Sequence, residues 1–225
     1  MVFVEIDLGV EGIPRPLKEE VMKKNIKTAI ESHKIWVSSV GELGIKLNLD
    51  EEIFEREEWR DISFSQASIT ECIFRKTILD HLDFYASILC SSSFEDTLVL
   101  SSEFLRANMG YTQFLNSKLE LINFSKADLS NSTFQNVEIV DSKFINVLLD
   151  GTCFKSTSLN NIDFTGAWFE NVKFSEDTIL KGIYGLDAAN IKSINIGTEE
   201  QPVYLEEQEA INWLKKRCKN KLNNK

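Results

Sequence analysis

Residues 124–144 read FSKADLSNSTFQNVEIVDSKF. Counting in fives from Phe124 lands on Leu129, Phe134, Ile139 and Phe144, so Phe alternates with an aliphatic residue. The count extends in both directions. Phe recurs every ten residues from Phe64 to Phe174, twelve times without an insertion. Midway between stand Ile69, Leu79, Leu89, Val99, Met109, Leu119, Leu129, Ile139, Leu149, Leu159, Phe169 and Ile179. Two residues before most of these positions the side chain is small or apolar, as at Ala67, Thr77, Ser87, Ala107, Ala127 and Val147. Nearly all the charge falls elsewhere.

A five-residue period fits neither regular element. In a flat strand, residues five apart point to opposite faces. In an α-helix five residues advance about 500°, so an apolar row drifts by roughly 140° per repeat. The period stays in phase if the chain turns a corner every five residues. Each short side then points its central residue, and the residue two before it, inward. Stacked coils bury a continuous core, as in other solenoids.

The ten-residue Phe period bears on the number of sides. Fifteen-residue coils would mix Phe with Leu in every ladder. Twenty-residue coils stack Phe64, Phe84, Phe104, Phe124, Phe144 and Phe164 in one ladder, and Leu89, Leu129 and Leu149 in another. Like-on-like layers are the simpler packing and favour four sides; mixed layers remain physically allowed. Six such coils are expected between about 61 and 180.

KADLS, with Leu129 central, matches the A(D/N)LXX consensus and resembles the pentapeptide-repeat family. The resemblance covers roughly 60–180. It implies an all-β solenoid, a right-handed quadrilateral β-helix. Family members often begin with a helix bearing His-x-x-Trp, then Gly and a first Leu. ESHKIWVSSVGELGIKLNL is similar, with His33, Trp36, Gly41, Gly44 and Leu47. One departure is DEEIFEREEWR (50–60), which places Glu52 and Glu57 two residues before Phe54 and Trp59. The first coil is therefore expected to be irregular or not yet closed. The resulting domain expectation is 1–46 for an N-terminal strand and capping helix, 47–184 for the repeats, and 185–225 for a C-terminal strand and capping helix.

The flanks fit that division. Val2, Val4, Ile6, Leu8 and Val10 alternate as in a strand. Leu17, Val21, Met22, Ile26, Ile30, His33 and Trp36 follow helical spacing. IKSINIG (191–197) suggests a last strand. A helix over 205–219 is expected to cover the last coil near Ile179 and Tyr184. Its shielding side chains would be Leu205, Trp213 and Leu214, with Lys215, Lys216 and Arg217 pointing outward.

The chain has 225 residues, 43% hydrophobic, ample for one core. No apolar run approaches the ~20 residues of a membrane span, and no basic-then-apolar signal opens the chain. No membrane partner is expected. Of the four cysteines, Cys72 is expected inward, Cys90 and Cys153 outward, and Cys218 in the tail. Without CxxC spacing they indicate neither zinc nor a disulfide framework, and a reducing cytoplasm is expected.

Catalytic signatures are missing: HExxH, GxSxG, Walker A and GxGxxG do not occur. His33 lies on the apolar side of its helix and reads as a packing or hydrogen-bonding residue. His81 reads as an outward or corner side chain. No enzyme activity and no cofactor is expected. Residues 61–180 hold sixteen Asp and Glu against eight Lys and Arg, net −8, and the whole chain is −10. That balance argues against direct nucleic-acid binding and permits attraction to a basic groove. A non-catalytic protein-binding or scaffold role is the first expectation. The alternative follows from resemblance to the quinolone-resistance branch of the family, acidic rods that mimic DNA in type II topoisomerases such as gyrase. In that branch a terminal segment joins two rods, which implies a homodimer through the C-terminal end, with a capped monomer as the other outcome. Many members also carry projecting loops, whereas here the register is read as unbroken from 64 to 179.

Overall fold

A computed structural model of the protein describes residues 15–219, with side chains from Asn25 to Cys218. The strand expected over 2–10 lies outside the described residues, as do the side chains of Leu17, Val21 and Met22. The chain divides into two compact units, Met1–Asn48 and Leu49–Lys225.

In the first unit, α1 (Arg15–Ser38) ends in a tight turn with positive φ at Val40, Gly41 and Gly44. A Cβ at Gly44 would lie 2.3 Å from the Ser32 carbonyl oxygen, so only glycine fits this return against the helix.

The second unit is a four-sided β-helix. Successive coils pair in parallel with a twenty-residue offset: Phe54 with Phe74, Leu119 with Ile139, Phe134 with Phe154. The first side carries Leu49, Ile69, Leu89, Met109, Leu129, Leu149 and Phe169 inward. The second carries Phe54 through Phe174, the third Trp59 through Leu159, and the fourth Phe64 through Phe164. A seven-stranded sheet along the third side marks seven turns. Every Phe from Phe64 to Phe154 is fully buried. The second-side rings stack nearly flat, with Phe74–Phe94 centroids 4.9 Å apart and Phe94–Phe114 4.7 Å apart. Phe104 stacks between Phe84 and Phe124 at 4.7 and 5.2 Å. Offset stacking of this kind adds to area burial.

Two local devices make the five-residue side possible. Two residues past each central side chain the backbone turns with positive φ, from Glu51 (56°) to Asn171 (55°). β-branched side chains are strongly disfavoured in that region, and none of these corner residues is Val, Ile or Thr. The second device is the hydroxyl at the inward flanking position. Ser92, Thr97 and Thr157 donate to the Ile69, Phe74 and Phe134 carbonyls of the preceding coil at 2.9, 3.0 and 2.8 Å. Ser92 and Ser117 also accept the Cys72 and Thr97 N–H groups. Backbone groups buried at the corners are thereby satisfied.

Three expectations need correction. The first coil is regular: Ile53–Glu55 and Glu58–Arg60 pair with Ile73–Arg75 and Ile78–Asp80 in the common register. The regular coils thus number seven, one more than the six expected between about 61 and 180. The register is not unbroken to 179. Leu159 pairs with Leu180, so Leu180 is buried and Ile179 faces outward. One residue is gained across 175–178, because the unbroken count would turn the Asp177 carboxylate inward. A second is gained before Asn190, around the short 3-10 turn Leu186–Ala188. Finally, Leu205 is not helical. Tyr204–Glu206 forms an antiparallel strand against Ser193–Asn195, and α2 (Glu207–Lys219) follows.

Candidate functional site

The four ladders fix which side chains face out. Each side shows solvent the residues just before and just after its central one, plus the corner. On the first side, from Asp50 to Asn171, these positions include Asp50, Glu51, Glu71, Asp128, Asp150 and Glu170, and no Lys or Arg. Every other side carries cations: Arg56, Arg75 and Lys155 on the second, Arg60 and Lys118 on the third, Arg106, Lys126 and Lys143 on the fourth. Several of those are already paired. Arg75 Nε meets Glu95 Oε2 at 2.7 Å, Lys118 meets Glu120 at 3.0 Å, and Arg60 bridges Glu58 and Asp80. The carboxylates beside Arg60, Arg75 and Lys118 push these cations' pKa values up, through side-chain hydrogen bonds first. The chain's acidity is therefore unevenly spread, with one side carrying carboxylates and no cation from Asp50 to Asn171.

That side also exposes apolar surface. Its outer row runs Ile88, Asn108, Asp128, Leu148, Trp168, each bridged to the next. Leu148 is 43% exposed and Trp168 55%. Tyr111, at a corner of the same side, is also exposed. Past Trp168, Glu170 pairs with Lys192 of the following turn, which raises the Lys192 pKa.

The sequence-derived residues fall as follows. Phe64, Phe84, Phe104, Phe124, Phe144, Phe164, Leu89, Leu129 and Leu149 all lie in the buried ladders. At the C-terminal end Leu214 and Ala210 are buried, and Leu205 and Trp213 are half-buried. Leu205 pairs with Ile194, and the Trp213 ring lies 5.8 Å from Phe174. Arg217 does not point outward. Its guanidinium lies over Trp213 and donates to the Glu176 and Thr178 carbonyls, while Lys215 pairs with Asp187. The third-side sheet ends at Ile179–Lys181, so no following coil offers the Thr178 carbonyl the donor that Thr157 finds in the Ile179 N–H, and Arg217 supplies one instead.

His33 is buried and accepts the Leu47 N–H at Nδ1 (3.1 Å), with Trp36 stacked 5.7 Å away. Accepting there requires an unprotonated Nδ1, consistent with a structural role. A cavity of about 390 Å³ in the first unit is lined by Asn25, Thr28, Ala29, Ser32 and Ile45–Asn48, of which only Lys46 is charged. His81 sits at an exposed corner with Nδ1 2.7 Å from Asp80. All four cysteines are free thiols. Burial pushes Cys72 up to about 12, and raises Cys90, Cys153 and Cys218 as well, the opposite of what a reactive thiolate needs. Among the described residues no group of three or more His, Cys, Asp and Glu could hold a metal, and no helix is long and apolar enough to cross a membrane.

The one-sided charge was missed in the sequence, where only the total was counted. Sorting residues by position within the twenty-residue coil would have exposed it.

Residues 67–144 match the family model described as a pentapeptide repeat region. No curated protein matches the chain by sequence. Among solved structures, a trypsin-treated form of QnrB1, a plasmid-mediated fluoroquinolone resistance protein, aligns with 76% of this chain and 95% of its own, at 14% identity and TM-score 0.58. A second trypsin-treated form aligns with 64% of this chain and 77% of its own, at 15% identity and TM-score 0.55. HetL, a pentapeptide repeat protein involved in heterocyst differentiation regulation from the cyanobacterium Nostoc sp. strain PCC 7120, aligns with 65% of this chain and 76% of its own, at 14% identity and TM-score 0.50. At such identities the likeness is one of fold.

Proposed function

Starting from a chain that belongs to the pentapeptide-repeat proteins, we propose that it is a non-catalytic protein-binding module whose working surface is the acidic first side. The observation that carries this reading is the charge asymmetry: six carboxylates and no cation on one side, mixed charge on the other three. A rigid face of one sign steers and orients a partner of the opposite sign. Rigidity comes from the coil-to-coil hydrogen bonds, so little ordering entropy is lost on docking. The reading is tested with an octa-arginine peptide. Binding should weaken when Asp128 and Asp150 become Asn, and weaken less when Glu120 and Glu138 of the third side become Gln. Equal losses from both pairs would reduce the first side to ordinary surface.

The second reading is topoisomerase protection by DNA mimicry. It is favoured by the same cation-free acidic side, taken with the likeness in fold to QnrB1, a fluoroquinolone resistance protein. A supercoiling assay with purified gyrase, with and without a fluoroquinolone, separates the two. Relief of drug inhibition that disappears in the Asp128→Asn/Asp150→Asn protein supports topoisomerase protection. No effect on supercoiling or on drug sensitivity removes it. A cytoplasmic location is also proposed, and four thiols without a disulfide partner support it. A homodimer through the C-terminal end is also proposed, since Val203 and Tyr204 are half exposed beside α2; light scattering on the same sample measures it.

A further inference from the structure

We propose that Leu148 and Trp168 are the anchoring step of the acidic side, and that the segment they take carries arginines interleaved with apolar side chains. This inference rests on the protein-binding reading above and names the chemistry of the partner.

Scattered exposed apolar residues are ordinary on a protein surface. These two are not scattered. They are adjacent rungs of one row, bridged as Leu148 to Trp168, and both are among the more exposed large apolar residues of the solenoid. Their backbones are held from both neighbouring coils. Leu148 N–H donates to Ala127 O at 3.0 Å, Trp168 N–H to Val147 O at 2.9 Å, and Leu149 N–H to Trp168 O at 3.0 Å. The indole and the isobutyl group are thus presented from a fixed frame, and a rigid aromatic is the kind of side chain that dominates binding at interface centres.

The surrounding charge selects the occupant. Asp128 is the next rung below Leu148, and Asp150 and Glu170 stand two residues past Leu148 and Trp168 on the same side. Glu170 is already paired with Lys192, whose charge also reaches Asp150, so Asp128 and Asp150 are the carboxylates of the step outside that ion pair. A second copy docking through the same face would bring carboxylates against carboxylates. An anionic membrane would be repelled for the same reason. A guanidinium satisfies both features of the step: it stacks on an indole face and pairs with a carboxylate in a planar fork. An apolar neighbour on the partner then covers Leu148, which a purely cationic segment would leave exposed.

The corners on either side of the step are also open. Gly166 and Gly151 take the positive-φ positions beside it, at 71° and 66°, where the other regular corners carry side chains. A partner backbone meets less obstruction there than at the Arg106, Tyr111 or Lys126 corners.

The test uses the full chain and two synthetic octapeptides of equal charge, one alternating Arg with Leu and one alternating Arg with Ser, followed by fluorescence anisotropy. The Arg–Leu peptide should bind about tenfold tighter than the Arg–Ser peptide, a ratio typical of one well-used anchor. Trp168→Ala should erase that preference and Trp168→Phe keep most of it, with thermal melting unchanged because the side chain faces outward. If both peptides bind equally and Trp168→Ala changes nothing, the anchor is refuted while the acidic-side reading stands. If neither peptide binds, both fall. If Trp168→Ala converts a dimer to a monomer in light scattering, the occupant is a second copy and the proposal is overturned.

Discussion

Carboxylates fall on inward positions near both ends of the solenoid, and the chain treats them differently. In the first coil Glu52 and Glu57 stand two residues before Phe54 and Trp59, and the register holds: their carbonyls accept the Ile73 and Ile78 N–H groups at 2.8 and 2.9 Å. In the last regular coil the count would put Asp177 in the same kind of position, and there the register slips. Ser175 donates to Asp177 at 2.6 Å in an enlarged corner, and Thr178 turns inward to donate to Phe154 O at 2.8 Å. Asp177 is left exposed, with its pKa lowered chiefly by the Ser175 hydroxyl. The difference lies in the escape route. Glu52 and Glu57 have a longer stem and belong to the first coil, where both remain half-buried. Asp177 is short, and its coil is followed by the 193–195 strand and α2, so an inward carboxylate would be sealed in. An unpaired buried charge costs far more than one extra residue in a corner.

The most severe way to break this comparison is to put a carboxylate where neither escape exists. Leu129 is fully buried between Met109 and Leu149. Leu129→Asp should cost several kcal/mol, on the order of 3–5. Ser130→Asp, one residue further and facing out, should cost about 0.5 kcal/mol or less. Denaturant melts of the two proteins measure the contrast, and equal midpoints would contradict the inward assignment of Leu129.

The slip itself is sharpened by the next pair. With Leu180 buried and Ile179 outward, Leu180→Ser should destabilise by about 2–4 kcal/mol and Ile179→Ser by under about 1 kcal/mol. The reverse order would restore the unbroken count and remove the reason given for the enlarged corner.

How much of this could be read in advance follows from the same residues. Five-residue spacing and the ten-residue Phe period define the coil because a twenty-residue turn stacks like on like along most of each ladder, as Phe64–Phe164 do. The slip was legible too, though not from apolar spacing. Ile179 and Leu180 are equally good central residues, and the deciding signal was the polar pair before them, Asp177 against Thr178. The regularity of the first coil was harder to foresee, since it depends on solvent reaching Glu52 and Glu57. Corner chemistry left a trace that apolar counting overlooks: an Asn-rich row that avoids β-branching, as at Asn116, Asn131, Asn136, Asn146 and Asn161. The candidate site was hidden for a different reason. Asp50, Glu71, Asp128, Asp150 and Glu170 are far apart in sequence and become one surface only when the chain is wrapped with a twenty-residue period.

The smallest effect concerns Glu52, where the first coil departs from the hydroxyl rule obeyed further along. Burial raises its carboxyl pKa. The folded state therefore holds this proton more tightly than the unfolded chain does. Between the two pKa values folding takes up a proton, so this group's contribution worsens as pH rises through the window and is constant below it. Glu52→Thr removes the ionised group and installs the side chain that Thr77, Thr97 and Thr157 show to suit an inward flank. A gain of about 1–3 °C in Tm is expected at neutral pH, the scale of a sub-kcal/mol change in a domain of this size. The gain should shrink on acidification toward about pH 4, where Glu is half protonated even when unfolded. Glu52→Gln separates charge from shape: it should recover the pH-dependent part and lack the hydroxyl. A Thr advantage that stays the same at both pH values would mean that the ionised carboxylate costs the first coil nothing, and that the register holds there for reasons of packing alone.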